Sequence, residues 1–576
     1  MEVAVDDRIP TFSGGLGVLA GDFLRAAADA GLPVLGVTLL YRSGYFRQAL
    51  SAEDQVELAV QWDPAAVLEP LEPRVTIRLF ARPVAVGAWR LLLAGDRGEV
   101  PVYYLDTDLA ENDARDRAIT GQLYTGDRSL RLAQEAVLGL AGPALLGAIG
   151  HQDVRVYHLN EGHAALVPVA LAGRLGPGTG PQADAASDSP PTGPAAARAP
   201  LVRPVHPEPI PPEALAAVRE RCVFTTHTPE PAGNERFSLD TVTAVLGAQG
   251  CRSLEGLGCI ESGTLDMTAL GMSASRAITA VSRRHRQVTQ ALFPSVAVGS
   301  VTNGVHAATW ASPSTRRLLD RHIDGWRSDN TLLRYASSIP LDEVAAAHRE
   351  AKAQLCEHVA ARTATRLDPG VLTIAVARRA TAYKRNDLVL TDPARLGRIG
   401  RAVGPLQIVF AGKAHPDDAA GKAMISQILR AVATLGPPSA ALYLPDYGLG
   451  DARVLCAGVD VWLNTPIPPR EASGTSGMKA AINGVPSLST LDGWWCEGHL
   501  EAVTGWAIDA DGDSAAAALY DVLEGTVVPT YYEDPQRFTW IGRQAMALNG
   551  SFFNAQRMLA EYVATVYRLD PTEQSA

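Results

Sequence analysis

The chain has 576 residues, 47% of them hydrophobic and 20% charged, with 62 acidic against 51 basic side chains and a net charge of −11. That length is roughly three to four times a typical domain, and the composition is that of a large globular enzyme. The acidic balance removes any general reason to expect nucleic acid as a partner, and no uninterrupted apolar run reaches membrane-spanning length. Six cysteines (Cys222, Cys251, Cys259, Cys356, Cys456, Cys496) show neither CxxC nor zinc-type spacing. Reduced thiols in the cytoplasm and no metal site are therefore expected. The N-terminus carries Glu2, Asp6 and Asp7 where a targeting segment would be basic.

The first local signal is Thr11-Phe-Ser-Gly-Gly-Leu-Gly17, with Ala20-Gly-Asp22 beyond it. This is a glycine-rich loop opening a helix, and Gly14 and Gly15 allow the backbone to approach an anion closely. Strand-like runs follow at Val34–Leu40, Val154–Leu159 and Cys222–Thr226, with alanine-rich helical patterns such as Leu130–Leu146 between them. From Gly176 to about Pro212 the chain turns Pro/Gly/Ala-rich, without aromatic residues or helical period, which predicts a disordered insertion. His158-Leu-Asn-Glu-Gly-His163 follows one strand. Its histidines are five apart and share no helix face, so a zinc reading is set aside. Thr225-Thr-His-Thr-Pro229 ends another strand and makes His227 a candidate for a substrate hydroxyl.

The second half repeats the scheme with Leu372–Val376, Leu406–Phe410, Ala441–Leu444 and Val459–Leu463. The alternation predicts an α/β fold with two doubly wound domains, parallel sheets and a site in the cleft between them. The expected division is a first domain over 1–305, a helical connector over 306–366 and a second domain over 367–576.

Arg378, Arg379, Lys384 and Arg385 follow the apolar run that ends at Ala377, which points to an anion site at a strand end. Lys413 and His415 repeat that layout more weakly. In Glu471-Ala-Ser-Gly-Thr-Ser-Gly-Met-Lys479, the stretch Ser473 to Ser476 can turn backbone N–H groups toward a phosphate at a helix start. Lys479, about one turn in, is either a phosphate counter-charge or a lysine that reaches an aldehyde. Trp494-Trp495 either stack on sugar rings or pack in the core.

Assembled in order, these motifs, together with YRSGYFRQ at Tyr41–Gln48, VTNGVHAATW at Val301–Trp310 and LDGWW at Leu491–Trp495, resemble the α-glucan (glycogen and maltodextrin) phosphorylase family, and its shorter bacterial branch above all. The resemblance implies two Rossmann-like domains of the GT-B type. It also implies pyridoxal 5'-phosphate as cofactor, and release of glucose 1-phosphate from an α-1,4-glucan by inorganic phosphate, with retention. By the same resemblance Lys479 matches the cofactor lysine. Arg378, Gly474, Thr475, Ser476, Tyr447 and Gly15 match cofactor-side positions. Arg379 and Lys384 match the substrate-phosphate pair, with Gly14 and Leu16 beside them. Glu471, Ser473, Asn303, Tyr383 and His227 match sugar-side positions, and Glu161 with His163 a supporting pair. A homodimer is left open.

The family's members carry a long N-terminal segment before SGGLG. Met1-Glu2 coincides with the end of a strand in it, which predicts a first sheet one strand short with an exposed edge. Ile467-Pro-Pro-Arg470 also places its arginine differently. Two other readings compete: a GT-B nucleotide-sugar glucosyltransferase resembling glycogen synthase, and an inactive glucan-binding homologue.

Overall fold

A computed structural model describes residues 1–51, 54–175, 210–229, 233–510 and 512–568. The first half opens with the helix Gly15–Ala30, closed by Gly31 in the left-handed region (φ 65°). It leads to strand β1 (Gly36–Leu39) and the hairpin β2 (Ser43–Leu50) and β3 (Gln55–Gln61). Strands β4 (Glu69–Pro70), β5 (Val75–Leu79), β6 (Arg82–Ala94) and β7 (Glu99–Asp106) join β1 in a mixed sheet, in which β1 pairs β7 in parallel and β6 pairs β7 antiparallel. Strands β8 (Tyr157–Asn160) and β9 (Cys222–Thr225) come next. A small antiparallel sheet of β10 (Arg236–Ser238), β11 (Ile260–Glu261) and β12 (Thr264–Asp266) precedes β13 (Ala277–Ala280) and β14 (Val298–Ser300). β8, β9, β13 and β14 form a four-stranded parallel sheet in the order β14-β13-β9-β8. The first half therefore departs from the expected doubly wound sheet, because β1 pairs with β7 in the mixed sheet and not with β8.

The second half carries β15 (Leu372–Ala377), β16 (Leu406–Ala411), β17 (Ser439–Leu444), β18 (Val461–Asn464), β19 (Ser487–Thr490) and β20 (Gly505–Ile508). All pair in parallel in the order β17-β16-β15-β18-β19-β20, the doubly wound order with its switch point between β15 and β18. β15 and β16 are buried at every position, as expected of strands covered on both faces, and this explains their largely apolar sequences, in which the polar exceptions Thr373 and Gln407 bond each other (2.9 Å).

Several expectations shift. Leu130–Leu146 is not one regular helix. It divides into Arg128–Ala136, a wide turn over Val137–Ala141 and Gly142–Ala148. The Pro/Gly/Ala-rich segment lies outside the described residues up to 209. Ile210 is buried and Pro212 opens the helix Pro212–Arg219, so the end read near Pro212 overlaps the folded chain. The expected exposed edge is covered. Met1–Val5 are buried, and they connect β1 to the first helix through Thr38 Oγ1 donating to Met1 O (2.8 Å) and Ala4 N donating to Gly17 O (2.9 Å). The last described helices, Ala555–Glu561 and Tyr562–Tyr567, pack back on the first half with Leu19, Leu24 and Val223. Trp494 and Trp495 are 2% and 0% exposed and share a core with Trp310, Met478 and Phe553, which removes them as sugar platforms.

The connector supplies helices Pro313–His322 and Leu341–Arg362. The β2–β3 hairpin straps the first half to the second. Gln48 Nε2 donates to Gly412 O (2.9 Å), Gln55 Nε2 to Ala414 O (3.0 Å) and Lys413 Nζ to Phe46 O (2.9 Å). Among the described residues no helix is long and apolar enough to cross a membrane.

Candidate active site

Between the two halves lies a cleft of about 1270 Å³. Its walls are strand ends and helix starts. The first half contributes the loop before the first helix (Gly14, Gly15, Leu16), the end of β8 (Glu161, His163), the end of β9 (His227) and Asn303 after β14. The second half contributes the end of β15 (Arg378, Arg379, Tyr383, Lys384), Tyr447 beyond β17, and the segment from Glu471 through Ser473, Gly474, Thr475 and Ser476 to Lys479. These candidate residues read from the sequence line this one cleft, drawn together because parallel strands deliver their loops to the same edge. Arg385, expected among the anion-site cations, instead turns away to donate to Thr465 O (2.8 Å) and Pro466 O (3.0 Å).

The two adjacent arginines diverge. Arg378 is buried, with Nε donating to Asn386 Oδ1 (3.0 Å) and Nη2 to Thr465 Oγ1 (3.0 Å), and burial pushes its guanidinium down to about 10. Arg379 is exposed to the cleft and makes no hydrogen bond or ion pair among the described residues. Lys384 donates to Glu471 Oε2 at 2.7 Å, an ion pair with both side chains largely buried, and stands 5.0 Å above the Tyr383 ring. The end of β15 thus gives the cleft a guanidinium that is bare among the described residues and a lysine whose charge a carboxylate already shares.

Glu471 is held from behind. Its N–H and that of Gly493 donate to the two oxygens of Asp492, and Trp494 N donates to Ser473 O. Burial pushes Asp492 up to about 6. Gly474 takes φ +83°, where a side chain would strain the backbone and crowd Glu471. Ser473 Oγ is buried without a partner. Ser476 Oγ accepts from Trp462 Nε1 (3.0 Å) and leaves its own hydrogen free. At the first helix, a Cβ added to Gly14 or Gly15 meets nothing within 4 Å, so the cleft is open there. Glu2 takes the Ser13 and Gly17 N–H groups (2.5 and 3.2 Å).

On the sugar side, His227 donates Nε2–H to Asn160 Oδ1 (2.6 Å), and burial pushes its imidazole down to about 3, so it stays neutral. Glu161 sits at φ +74°, an unusual conformation for a non-glycine residue. It accepts from His227 N (2.6 Å) and Thr228 Oγ1 (3.0 Å) and leaves Oε1 without a partner. His163 Nδ1 lies 3.3 Å from Arg131 Nη2, and burial holds this ring well below the usual histidine range, so Nδ1 accepts. Arg131 also meets Glu235 (3.0 Å) and Glu135 (3.4 Å). Glu135, His163 and Glu235 bring ligand atoms within 4.8 Å of one another, but the Arg131 guanidinium already supplies the cation there. His158, set aside as a ligand, bonds Tyr567 and Thr225 (both 2.7 Å).

Sequence reasoning missed Arg131, Glu135, Glu235, Tyr45, Tyr124 and Trp310 around the cleft. Trp310 closes the VTNGVHAATW motif, whereas Arg131 and Glu135 sit one helical turn apart in an alanine-rich helix that carries no local signal. Lys479 is buried, lines the cleft and has its Nζ 4.2 Å from the centre of the Trp310 ring.

The carbohydrate phosphorylase family profile matches residues 11–82 and 214–503. The chain is 34% identical to a maltodextrin phosphorylase of Thermococcus litoralis, covering 98% of this chain and 70% of that protein. It is 35% identical to a glycogen phosphorylase of Mycobacterium tuberculosis, over all of this chain and 70% of that protein. It is 32% identical to a glycogen phosphorylase of Aquifex aeolicus, covering 98% of this chain and 85% of that protein.

Proposed function

The chain belongs to the carbohydrate phosphorylase family, and from that premise we propose that it transfers the terminal glucose of an α-1,4-glucan to inorganic phosphate, releasing glucose 1-phosphate with retained configuration. The observation that carries this reading is Arg379, a guanidinium without a hydrogen bond or ion pair among the described residues, in the same cleft as a buried lysine that touches no carboxylate and rests on an indole. We read the halves as GT-B domains over 1–305 and 367–576, joined by 306–366.

The residues present fit pyridoxal 5'-phosphate. Among the described residues Lys479 Nζ has no hydrogen-bond partner, Tyr447 lines the same wall, and Arg378, Gly474, Thr475 and Ser476 offer cationic and N–H or O–H donors to a phosphate. When bound, the cofactor supplies a phosphate whose ionisation near neutral pH lets it exchange a proton with the substrate phosphate.

The protein's own work is binding and charge balance. Two phosphates in contact repel strongly in a low-dielectric cleft, so cations and N–H donors must offset them. Arg379 grips the substrate phosphate with its planar fork. Lys384 joins it by exchanging Glu471 for phosphate, and Glu471 is then released to a glucose hydroxyl. Gly14, Gly15 and Leu16 leave the backbone open to the same anion. His227, neutral, and Asn303 and Tyr383 orient the sugar, with Glu161 and His163 behind them. Ser473 Oγ, buried and unpartnered, is a ready donor to a sugar oxygen.

Borohydride treatment of the purified protein tests this. It should fix pyridoxal phosphate on the Lys479 peptide while phosphate-dependent release of glucose 1-phosphate from maltodextrin continues. Absence of the cofactor with transfer from a nucleotide sugar would establish the glucosyltransferase reading, and glucan binding without any turnover the inactive one.

A further inference from the structure

The sequence contains five lysines, all among the described residues: Lys352, Lys384, Lys413, Lys422 and Lys479. Four of them touch a carboxylate: Asp460 at 2.6 Å, Glu471 at 2.7 Å, Asp446 at 2.7 Å and Glu57 at 2.9 Å, respectively. Lys479 touches none. It is 7% exposed, and its Nζ rests 4.2 Å from the centre of the Trp310 indole. An ammonium in such a place is attracted to the ring face, but the indole does not neutralise it.

A compensating charge lies at the edge of that indole. Asp22, on the first helix and 3% exposed, receives the Trp310 Nε1–H on both carboxylate oxygens (3.0 and 2.9 Å). A donor shared by both oxygens suits the ionised form, and the His306 backbone adds to it. We infer that Asp22 is the counter-charge of Lys479 and, through its bond to Trp310, the positioning residue that fixes the indole face under the lysine's amine.

Other groups around the pair do not take this role. Cys456 faces Lys479 from the helix Leu449–Gly458, but burial pushes its thiol up to about 12, so it carries no charge at neutral pH. His306 faces Asp22 but is bonded to Asp29 Oδ2 (2.7 Å) and Thr309 Oγ1 (2.7 Å). Asp29 is held below the usual carboxylate range by that histidine and so is already paired. Burial holds the Lys479 amine below the usual lysine range with Asp22 working against it, and holds Asp22 above the usual carboxylate range with Lys479 working against that. The two effects set how readily the amine becomes a neutral nucleophile, which is the state that captures an aldehyde.

This inference rests on the assignment of Lys479 as the cofactor lysine only for its purpose, and the two can fail separately. The test is competitive trace acetylation of the full chain, freed of pyridoxal phosphate, from pH 6 to 11, with Lys413 and Lys422 as controls in the same digest. Asp22→Asn keeps the shape and an acceptor for Trp310 but removes the charge. It should lower the Lys479 midpoint by about one pH unit, seen as about tenfold more label at pH 8, with the controls unmoved. Trp310→Phe keeps an aromatic face but takes from Asp22 the hydrogen bond that favours its ionised form, and it should shift the midpoint in the same direction by less. An unmoved Lys479 midpoint in whichever variant keeps the parental melting curve overturns the inference, even if the cofactor binds. A shifted midpoint in a protein that takes up no pyridoxal phosphate upholds the inference and removes the cofactor assignment instead.

Discussion

Arg378 and Arg379 are neighbours in sequence with identical chemistry, and truncating each to alanine should cost stability in one and leave it nearly intact in the other. Arg379 has no hydrogen bond or ion pair among the described residues and faces the cleft. Arg379→Ala therefore removes no hydrogen bond or ion pair among the described residues, and unfolding free energy should change by no more than about 0.5 kcal/mol. Turnover should fall about 10²-fold or more, the size expected when one donor to developing transition-state charge is lost, about 3 kcal/mol. The apparent phosphate requirement should rise with it. Arg378 instead donates two hydrogen bonds from a buried guanidinium, at 3.0 Å to Asn386 and 3.0 Å to Thr465. Each such charged bond contributes about 1.5–3 kcal/mol net, and the unfavourable burial of the charge, visible in its downward shift to about 10, offsets part of that. Arg378→Ala should therefore destabilise by about 2–4 kcal/mol, leaving two buried acceptors without a donor. Urea unfolding of both variants, and initial rates of glucose 1-phosphate release from maltodextrin across a phosphate series, make the comparison. An Arg379→Ala protein that loses as much stability as Arg378→Ala, or that turns over normally at low phosphate, would refute the division of labour.

Glu135 is fully buried, neither of its oxygens has a hydrogen-bond partner, and burial pushes it up to about 8 despite Arg131 beside it. The folded chain then keeps a proton that the unfolded chain releases near pH 4.3, so stability falls as pH rises from about 4.3 to about 8. Glu135→Gln should flatten the melting temperature over that window and raise it at pH 8 to 9; parallel profiles for variant and parent would show that the carboxyl is already ionised. Gly477→Ala would bring a methyl group 2.7 Å from Trp494 Cζ2 and 2.9 Å from Ser487 Oγ in a packed core. The expected loss is about 1–3 kcal/mol, read by thermal melting, and a neutral substitution would mean that the indole yields.

Much of the site was legible because its residues come directly after apolar strands, and parallel strands bring their C-terminal loops to one edge of the sheet. Glycine, small donors and cations in those positions have few structural uses, so their chemistry could be read before their neighbours were known. Four of the six parallel strands of the second half were legible for a related reason: strands buried on both faces are mostly apolar, as Leu372–Ala377 and Leu406–Ala411 are, whereas Ser487–Thr490, three of whose four residues carry hydroxyls, and the short Gly505–Ile508 gave no such run.

Long-range contacts were not legible. Lys384 meets Glu471 across 87 residues, and nothing local to either position announces the pair. Whether Arg378 or Arg379 is tied to internal acceptors depended on the exit geometry of one strand. The paired tryptophans at 494 and 495 fit a sugar platform and a core equally well until Phe553 and Trp310 closed around them. Asp22 read as part of a helix start, and only the fold set it at the edge of the indole whose face Lys479 occupies. Sequence periodicity reports which face of an element is apolar; which charge neutralises which is decided by packing between elements far apart in the chain, where burial makes an unpaired charge costly and so gives each partner its meaning.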